Sequence, residues 1–400
     1  MPSVNELAGG TRLVCPRCNH VLARGADNAL DKVLALSITG IIVLFMSVSF
    51  TFLSFEIKGQ SNSMTLFSLF NELYQSGFAI LGFLVLAFII LLPVFYLSAL
   101  LALAVRVKKN RYGTGSRALA NLVTKIYPWT MVDVFIFGVA VALVKIMGMA
   151  DVEMGVSFFS YAIFTVIFIY ISSIVDTHRL WSWVEVEGHH KVNEVDFNQV
   201  DGWVVCANCH KLNLPTDEHC LRCEKPLSKR VVFGLQHCIA LLITSLILFV
   251  PANIYPIMTT EILGASSKST IVGGVLLFIE HGSYGIAAII FIASVVIPLA
   301  KIGALFMLCH AAKKKSSLQE NDLMRLYRVV EFIGKWSMVD VFVVAIMVAL
   351  VQLGSVTAIE PGIAAVAFCG MVILTILAAH KFDSRLIWDK LSSRERMGKG

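Results

Sequence analysis

Four cysteines of this 400-residue chain have a spacing that specifies chemistry on its own. Cys206-x-x-Cys209 and Cys220-x-x-Cys223 are separated by ten residues that include Asn213, Pro215 and Asp217, and Pro226 closes the second knuckle. Four thiolates at this spacing close a tetrahedron around Zn2+, and a cytoplasmic location argues against disulfides. A redox dithiol is the other reading. With sulfur at all four positions no coordination site stays open for water, so such a metal stabilises a small fold and does not catalyse. Cys15-Pro16-Arg17-Cys18 supplies one pair only before the membrane begins near residue 31. Alone it cannot make a four-sulfur site. His20 is either a third ligand or a surface residue, and Cys15 and Cys18 are either metal ligands, a pair shared between chains, or a decayed knuckle. Cys238, Cys309 and Cys369 lie within or at the ends of apolar runs and read as small packing residues.

Ionisable residues inside apolar runs form the second group of candidates. A Lys or Asp at the centre of a span costs on the order of 2.5–3.5 kcal/mol on an insertion scale, which makes it a functional-site candidate by default. Lys301, Asp340, Asp133 and Lys145 qualify. Lys301 lies 12 residues before Lys313, and Asp340 lies 12 residues after Arg328. At about 1.5 Å per residue both sit roughly 18 Å from the cytoplasmic basic flank, at a depth where they can meet as a pair. Ser294 is seven residues before Lys301 and Ser337 three before Asp340, so each hydroxyl shares the face of its charge. Thr375 sits at a compatible depth. Such a set is either a buried ion pair that fixes helix packing or a titrating pair that opens when Asp340 is protonated. A buried pair is often no more stabilising than an apolar replacement, which weakens the packing reading. Lys145, near the outer end of its span, is expected to snorkel to the interface.

The elements that must position these residues are membrane helices. The chain is 57% apolar and only 15% charged, far from the balance of a soluble domain. Eight apolar runs are long enough to cross a bilayer, at about 31–54, 78–106, 126–148, 156–175, 233–257, 284–309, 329–353 and 362–380. The formal charge of +6 does not point to nucleic acid, because the basic residues cluster beside apolar runs. The loop from Arg106 to Lys125 carries six Lys or Arg, as does that from Lys313 to Lys335, whereas the four opposite loops contain only Lys58 and Lys268. Both termini and the linker 176–232 are therefore expected in the cytoplasm. The opening residues lack the apolar core and small-residue cleavage site of a signal peptide.

The runs repeat. Trp129-Thr-Met-Val-Asp133-Val-Phe135 recurs as Trp336-Ser-Met-Val-Asp340-Val-Phe342, and Asp176 with Trp181 recurs as Asp383 with Trp388, at an offset of 207; Pro93 and Lys108-Lys109 match Pro298 and Lys313-Lys314 at an offset of 205. The predicted fold is an all-α polytopic membrane protein of two parallel four-helix repeats. Its parts are a Cys-x-x-Cys module (1–30), a first repeat (31–176), a linker with a zinc ribbon (177–232), a second repeat (233–381) and a tail (382–400). The positions matching Ser294, Lys301, Ser337, Asp340 and Thr375 in the first repeat are Ile89, Tyr96, Thr130, Asp133 and Phe168, so the polar set is largely confined to the second. Segments 63–77 and 269–282 on the outer side are apolar enough to lie on the membrane or to dock a partner.

The chain resembles the PqiA (paraquat-inducible protein A) family and, within it, the LetA/YebS-like branch. The resemblance rests on Pro251-Ala-Asn253-Ile-Tyr-Pro256-Ile257, on Phe291-Ile-Ala-Ser294-Val-Val-Ile-Pro298 with Lys301, and on Ile333-Gly-Lys-Trp336-Ser-Met-Val-Asp340-Val-Phe342. It extends through Gly362-Ile-Ala-Ala-Val-Ala-Phe368, Ile373-Leu-Thr375 and Asp383-Ser-Arg385-Leu-Ile-Trp388. Members usually carry two Cys-x-x-Cys pairs in each cytoplasmic module, and this chain lacks the second N-terminal pair. The resemblance implies an inner-membrane protein of a Gram-negative cell envelope that exchanges phospholipid or a similar amphiphile with a periplasmic MCE-domain protein.

Two functions follow from these features. In one, the chain is a lipid-transport subunit whose polar network couples conformation to proton movement; the absence of a Gly-x-x-x-x-Gly-Lys-Ser/Thr sequence argues against ATP hydrolysis. In the other, it is a non-transporting scaffold or envelope-stress sensor that docks partners through its zinc module. A membrane enzyme has little support, since no nucleophile-base pair is evident at membrane depth and a four-cysteine site is coordinatively closed.

Overall fold

A computed structural model describes residues 11–14, 21–25, 28–57, 60–146, 151–184, 203–214, 216–228, 230, 233–262, 265–280, 282, 284–313, 320–351 and 357–387. Cys15, Cys18, His20 and Trp388 lie outside the described residues.

Strands β1 (Arg12–Val14) and β2 (Val21–Arg24) pair antiparallel and precede α1 (Ala29–Ser49). At about 1.5 Å per residue, the 21 residues of α1 just cross a hydrocarbon layer about 30 Å thick. Its buried positions, Val33, Ser37, Gly40, Leu44 and Ser47, recur every three or four residues. Ile38, Ile42, Phe45 and Met46 on the other faces are exposed, so one stripe meets protein and the rest meets lipid.

The chain continues through a hairpin, β3 (Leu53–Ile57) and β4 (Gln60–Met64), then α2 (Leu66–Gln75) and α3 (Ala79–Leu86). A π-helical turn (Ala87–Leu91) leads into α4 (Leu92–Lys108), followed by α5 (Thr114–Ile126), a 3-10 turn (Tyr127–Trp129), α6 (Val132–Ile146), β5 (Asp151–Met154), α7 (Val156–Ile174) and α8 (Thr177–Ser182). After the short strands β6 (Val204–Val205) and β7 (Leu212–Asn213), the same order returns. It runs α9 (Gly234–Ile254), β8 (Met258–Ile262), β9 (Ala265–Ser269), α10 (Ile271–Glu280), α11 (Tyr284–Phe291), a π-helical turn (Ile292–Val296), α12 (Ile297–Lys313), α13 (Glu320–Trp336), α14 (Val339–Val351), β10 (Thr357–Pro361) and α15 (Ile363–Lys381).

Among the described residues seven helices are long and apolar enough to cross a membrane: Ala29–Ser49, Ala79–Lys108, Thr114–Leu143, Val156–Ile174, Gly234–Ile254, Ile292–Lys313 and Ile363–Lys381. The run expected at 329–353 falls on the end of α13 and on α14, separated by a turn at Ser337–Met338. The described part of α14 is only 13 residues long, short of the ~20 needed to span. Thr114–Leu143 is longer than the expected 126–148 run because amphipathic α5 joins α6 through the 3-10 turn.

The chain divides into two compact units. The first draws on Met1–Ser49, Ala87–Asp133 and Ser157–Lys229. Here α1 packs on α4, and a Cβ on Gly40 would lie 3.1 Å from Leu97 Cδ1, the close approach that small residues permit between membrane helices. Buried Tyr96 sets its ring 5.9 Å from that of Tyr127 and 5.4 Å from that of Phe168. Pro93 has no N–H to offer the carbonyl four residues earlier, that of Ile89. The π-helical turn forms there, and the Tyr161 hydroxyl donates to Ile89 O at 3.4 Å.

The second unit draws on Phe50–Leu86, Val134–Val156 and Arg230–Gly400. It contains two three-stranded antiparallel sheets, ordered β4-β3-β5 and β10-β8-β9. In each, the strand that comes last in the sequence, β5 or β10, passes into a helix through a glycine. Gly155 N donates to Phe52 O at 3.1 Å and Gly362 N to Ile257 O at 2.8 Å. A Cβ at Gly155 would overlap the Thr51 carbonyl oxygen, and one at Gly362 that of Pro256. A capping box between Thr65 and Ser68 opens α2, which buries Leu66, Leu69 and Leu73 against α3 and α14. That face of the 63–77 segment is therefore covered by the protein itself, leaving Phe67 and Tyr74 exposed. Helices α9 and α15 pack closely, with Gly370 opposite Leu248. Phe135 and Phe342, equivalent positions of the repeated heptapeptide, meet edge to face with ring centroids 5.5 Å apart.

Candidate functional site

The four cysteines predicted as a metal site come together in the first unit. All are buried, and the four sulfurs lie within 4.8 Å of one another. Cys206 and Cys223 sulfurs are 3.5 Å apart and those of Cys209 and Cys220 3.4 Å, too far for a bond of about 2.05 Å. Four thiolates about 2.3 Å from one ion stand about 3.8 Å apart in a tetrahedron, so the cluster fits a metal with little adjustment.

Two equivalent knuckles build the cluster. In one, Cys206 N donates to Lys211 O at 2.9 Å and His210 N to Cys206 O at 3.1 Å; in the other, Cys220 N donates to Lys225 O and Glu224 N to Cys220 O, both at 2.8 Å. Each turn ends on a left-handed residue, His210 and Glu224, both at φ 59°. The β6–β7 pair and a bridge between His219 and Pro226 hold the two together. Burial pushes the Cys209 and Cys223 thiols up; at Cys220 burial also raises the thiol, but hydrogen bonds from the Cys223 and Arg222 backbone and from the Cys209 and Cys223 thiols together bring it down. Four adjacent thiolates are compatible with this burial when a cation neutralises them.

The knuckles dock on neighbouring helices through their turn residues. Asn208 Nδ2 donates to Asn121 Oδ1 of α5 at 2.8 Å, Glu224 forms an ion pair with Arg117 of α5, and His210 packs edge to face on His178 of α8 with ring centroids 5.7 Å apart. Burial lowers the pKa of His178, with Asp176 opposing and nearby Arg222 adding to the effect. None of these docking residues has a sequence signal that marks it. They are ordinary polar residues of an amphipathic helix and of turns.

The predicted intramembrane set is partly assembled in the second unit. Lys301 on α12 and Thr375 on α15 are buried at 3% and 2% exposure, and Lys301 Nζ donates to Thr375 Oγ1 at 2.9 Å. The Thr375 hydroxyl in turn donates to Val372 O at 2.7 Å. The ammonium also lies 3.4 Å from where a Cβ on Gly334 of α13 would stand, so a side chain there would crowd the charge. Gly334 is absent from the sequence-based set; its signal is its position three residues before Ser337, on the same helical face.

Ser337 is buried, and its hydroxyl turns back to Ile333 O at 3.4 Å. Ser294 is buried in the π-helical turn at the position whose carbonyl Pro298 leaves without its usual donor. Asp340 stands near the start of α14, and its side chain, like that of Lys145, lies outside the described residues. Asp133 is half-buried at the start of α6 and belongs to the first unit. Lys301 thus meets Thr375 and Gly334, three helices converging on one buried ammonium.

The model of the family described as Paraquat-inducible protein A matches the chain twice, over residues 30–185 and 235–392. The chain is 34% identical over 401 residues to "Intermembrane transport protein PqiA" of Escherichia coli (strain K12), covering 98% of this chain and 94% of that one. It is 28% identical over 388 residues to "Lipophilic envelope-spanning tunnel protein A" of the same organism, covering 97% and 88%. It is 28% identical over 405 residues to "Probable intermembrane transport protein" of Haemophilus influenzae, covering 99% and 94%. No solved structure matches the chain.

Proposed function

The chain belongs to the paraquat-inducible protein A family, and on that premise we propose that it is the inner-membrane subunit of an intermembrane lipid transport system. In this reading it passes phospholipid or a similar amphiphile to or from a periplasmic MCE-domain partner. The twofold family match and the recurring element order support two parallel four-helix repeats with eight spans, and the Lys/Arg-rich loops support cytoplasmic termini. The names of the relatives, which speak of transport between membranes and of a lipophilic tunnel, support the substrate class.

The observation that carries the proposal is the buried Lys301 ammonium bonded to Thr375. A lysine at membrane depth is costly, and neutral Thr375 does not compensate its charge. Asp340, at a matching depth from the cytoplasmic flank, is the carboxylate that completes the network with Ser294 and Ser337. Protonation of Asp340 would leave Lys301 without its counter-ion, and rearrangement of α12, α13 and α15 around the ammonium couples proton uptake to opening of the lipid path.

Zn2+ bound by Cys206, Cys209, Cys220 and Cys223 would supply folding energy to the cytoplasmic module and no chemistry at an open site. The docking of this module on Arg117 and Asn121 favours one competing reading, a scaffold or envelope-stress sensor that uses the module as its working surface. No catalytic step is assigned in either case.

Complementation of envelope lipid integrity separates the two, in a strain lacking this protein and its paralogues. Lys301→Ala and Asp340→Asn that accumulate normally and fail to complement support transport. If both complement while Arg117→Ala with Asn121→Ala fails, the scaffold reading replaces it.

A further inference from the structure

A second close pair of thiols lies outside the metal cluster. Cys238 on α9 and Cys309 on α12 are both buried, and their sulfurs are 3.5 Å apart. Apolar side chains surround them, among them Leu242, Leu305, Leu308, Ala379 and Phe382. No His, Asp or Glu joins them in a metal-binding group among the described residues. The pair is therefore a dithiol and not a second metal site.

The pair is buried, but it lies close to one end of each helix. Cys238 is four residues from the start of α9 at Gly234, and Cys309 four residues from the end of α12 at Lys313. Each sulfur sits about 6 Å along its helix from the end that, under the topology proposed above, meets the cytoplasm. Cytosolic thiols keep such a pair reduced, and pairs that oxidise there do so transiently. A disulfide needs sulfurs about 2.05 Å apart, so bond formation requires about 1.5 Å of approach, within reach of side-chain rotation at two helices already in contact.

We infer that Cys238 and Cys309 are an oxidative modification site, closed by hydroperoxides into a disulfide that staples α9 to α12. A thiolate of the pair attacks the peroxide O–O bond, becoming a sulfenic acid and releasing an alcohol; the second thiol attacks that sulfur and water leaves. In sum, two thiols and one hydroperoxide give one disulfide, one alcohol and one water, and the two electrons lost by sulfur reduce the peroxide. The Lys313 ammonium, one turn beyond Cys309, is a counter-charge for the attacking thiolate. Cytosolic dithiols reverse the bond by exchange.

The staple reaches the polar site. Lys301 lies eight residues before Cys309 on α12, and Thr375 lies on α15, the helix packed along α9. Tying α9 to α12 fixes the helix that carries Lys301 to the helix packed along the one that carries Thr375, so oxidation arrests the rearrangement that transport requires.

The test uses the full chain in nanodiscs of bacterial phospholipid, treated with tert-butyl hydroperoxide, alkylated with N-ethylmaleimide and mapped by mass spectrometry. A Cys238–Cys309 linked peptide is expected, absent after thiol reduction and absent from Cys238→Ala and from Cys309→Ala, but retained in Cys369→Ala. Recovery of Cys238 and Cys309 as separately alkylated or separately oxidised residues, at a dose that oxidises the four-cysteine module, overturns the assignment. If the alanine variants do not accumulate, the wild-type peptide map alone decides. This readout does not depend on transport: a linked peptide with unchanged lipid transfer upholds the modification site and removes its coupling to the proposed function.

Discussion

Lys301 Nζ bonds Thr375 Oγ1 at 2.9 Å in the place where the first repeat sets the ring of Tyr96 against that of Phe168, centroids 5.4 Å apart. Tyr96 matches Lys301 at the 205 offset and Phe168 matches Thr375 at the 207 offset. The same junction of helices is therefore closed once by an aromatic pair and once by an ammonium and a hydroxyl. Since the fold closes without a charge in one repeat, packing alone does not account for the charge in the other.

The double variant Lys301→Tyr with Thr375→Phe exploits this relationship. It places the first repeat's pair in the second and is expected to accumulate at near wild-type level while losing complementation. Thr375→Val alone removes a partner of a charged donor, an interaction of about 1.5–3 kcal/mol, and is expected to reduce lipid transfer with little change in abundance. Full complementation by the double variant would show that the site serves only to join helices.

Tyr161 carries the second prediction. Its hydroxyl satisfies the Ile89 carbonyl, which lacks its helical donor because residue 93 is proline. Tyr161→Phe removes a donor to a buried carbonyl, at a cost of about 0.5–1.5 kcal/mol, and is expected to lower the unfolding temperature of detergent-solubilised protein. An unchanged temperature would mean that water or another donor reaches Ile89.

Gly155 and Gly362 carry the third. Alanine at either position overlaps a backbone carbonyl that cannot swing aside, so both variants are expected to accumulate poorly. Gly303→Ala, in α12 with nothing within 4 Å of its Cβ position, is the control and is expected to accumulate normally. Equal abundance of all three would contradict the strand-to-helix geometry at both sheets.

The membrane helices and the metal ligands are readable in the sequence because each follows a local rule: roughly 20 apolar residues cross a bilayer, and Cys-x-x-Cys makes a knuckle. Depth arithmetic brings Lys301 and Thr375 to one level, but it does not fix the rotation of α12 and α15 about their axes. Hence Thr375, a peripheral member of the expected set, is the residue that the Lys301 ammonium touches. The three-stranded sheets have no clear signature. Their strands are only four or five residues long, some as polar as Gln60-Ser-Asn-Ser-Met64, and one pairing in each sheet links segments about 100 residues apart, such as Ser54 with Glu153. The contact between Asn121 and Asn208 is silent for the same reason: 87 positions separate them and neither belongs to a periodic pattern.

That contact frames the last prediction. The metal module holds α5 through Asn208 and Glu224, each within two residues of a ligand cysteine, so the positions of both turns depend on the tetrahedron being closed. Metal analysis of the purified chain is expected to find one Zn2+ per chain, lost on Cys206→Ser or Cys220→Ser. It is also expected to be lost as pH falls, because protons compete with metal for the four thiolates. Arg117→Ala with Asn121→Ala leaves all four ligands in place, so zinc should be retained while the module loosens from α5. Limited proteolysis within 203–228 would then speed up in the double variant without metal loss. The exposed Arg117–Glu224 pair contributes little on its own, about 0–1 kcal/mol, so the single Arg117→Ala change should move the proteolysis rate less than Asn121→Ala, which removes a half-buried hydrogen bond. Faster cleavage only in the cysteine variants would show that the metal folds the module without anchoring it to α5.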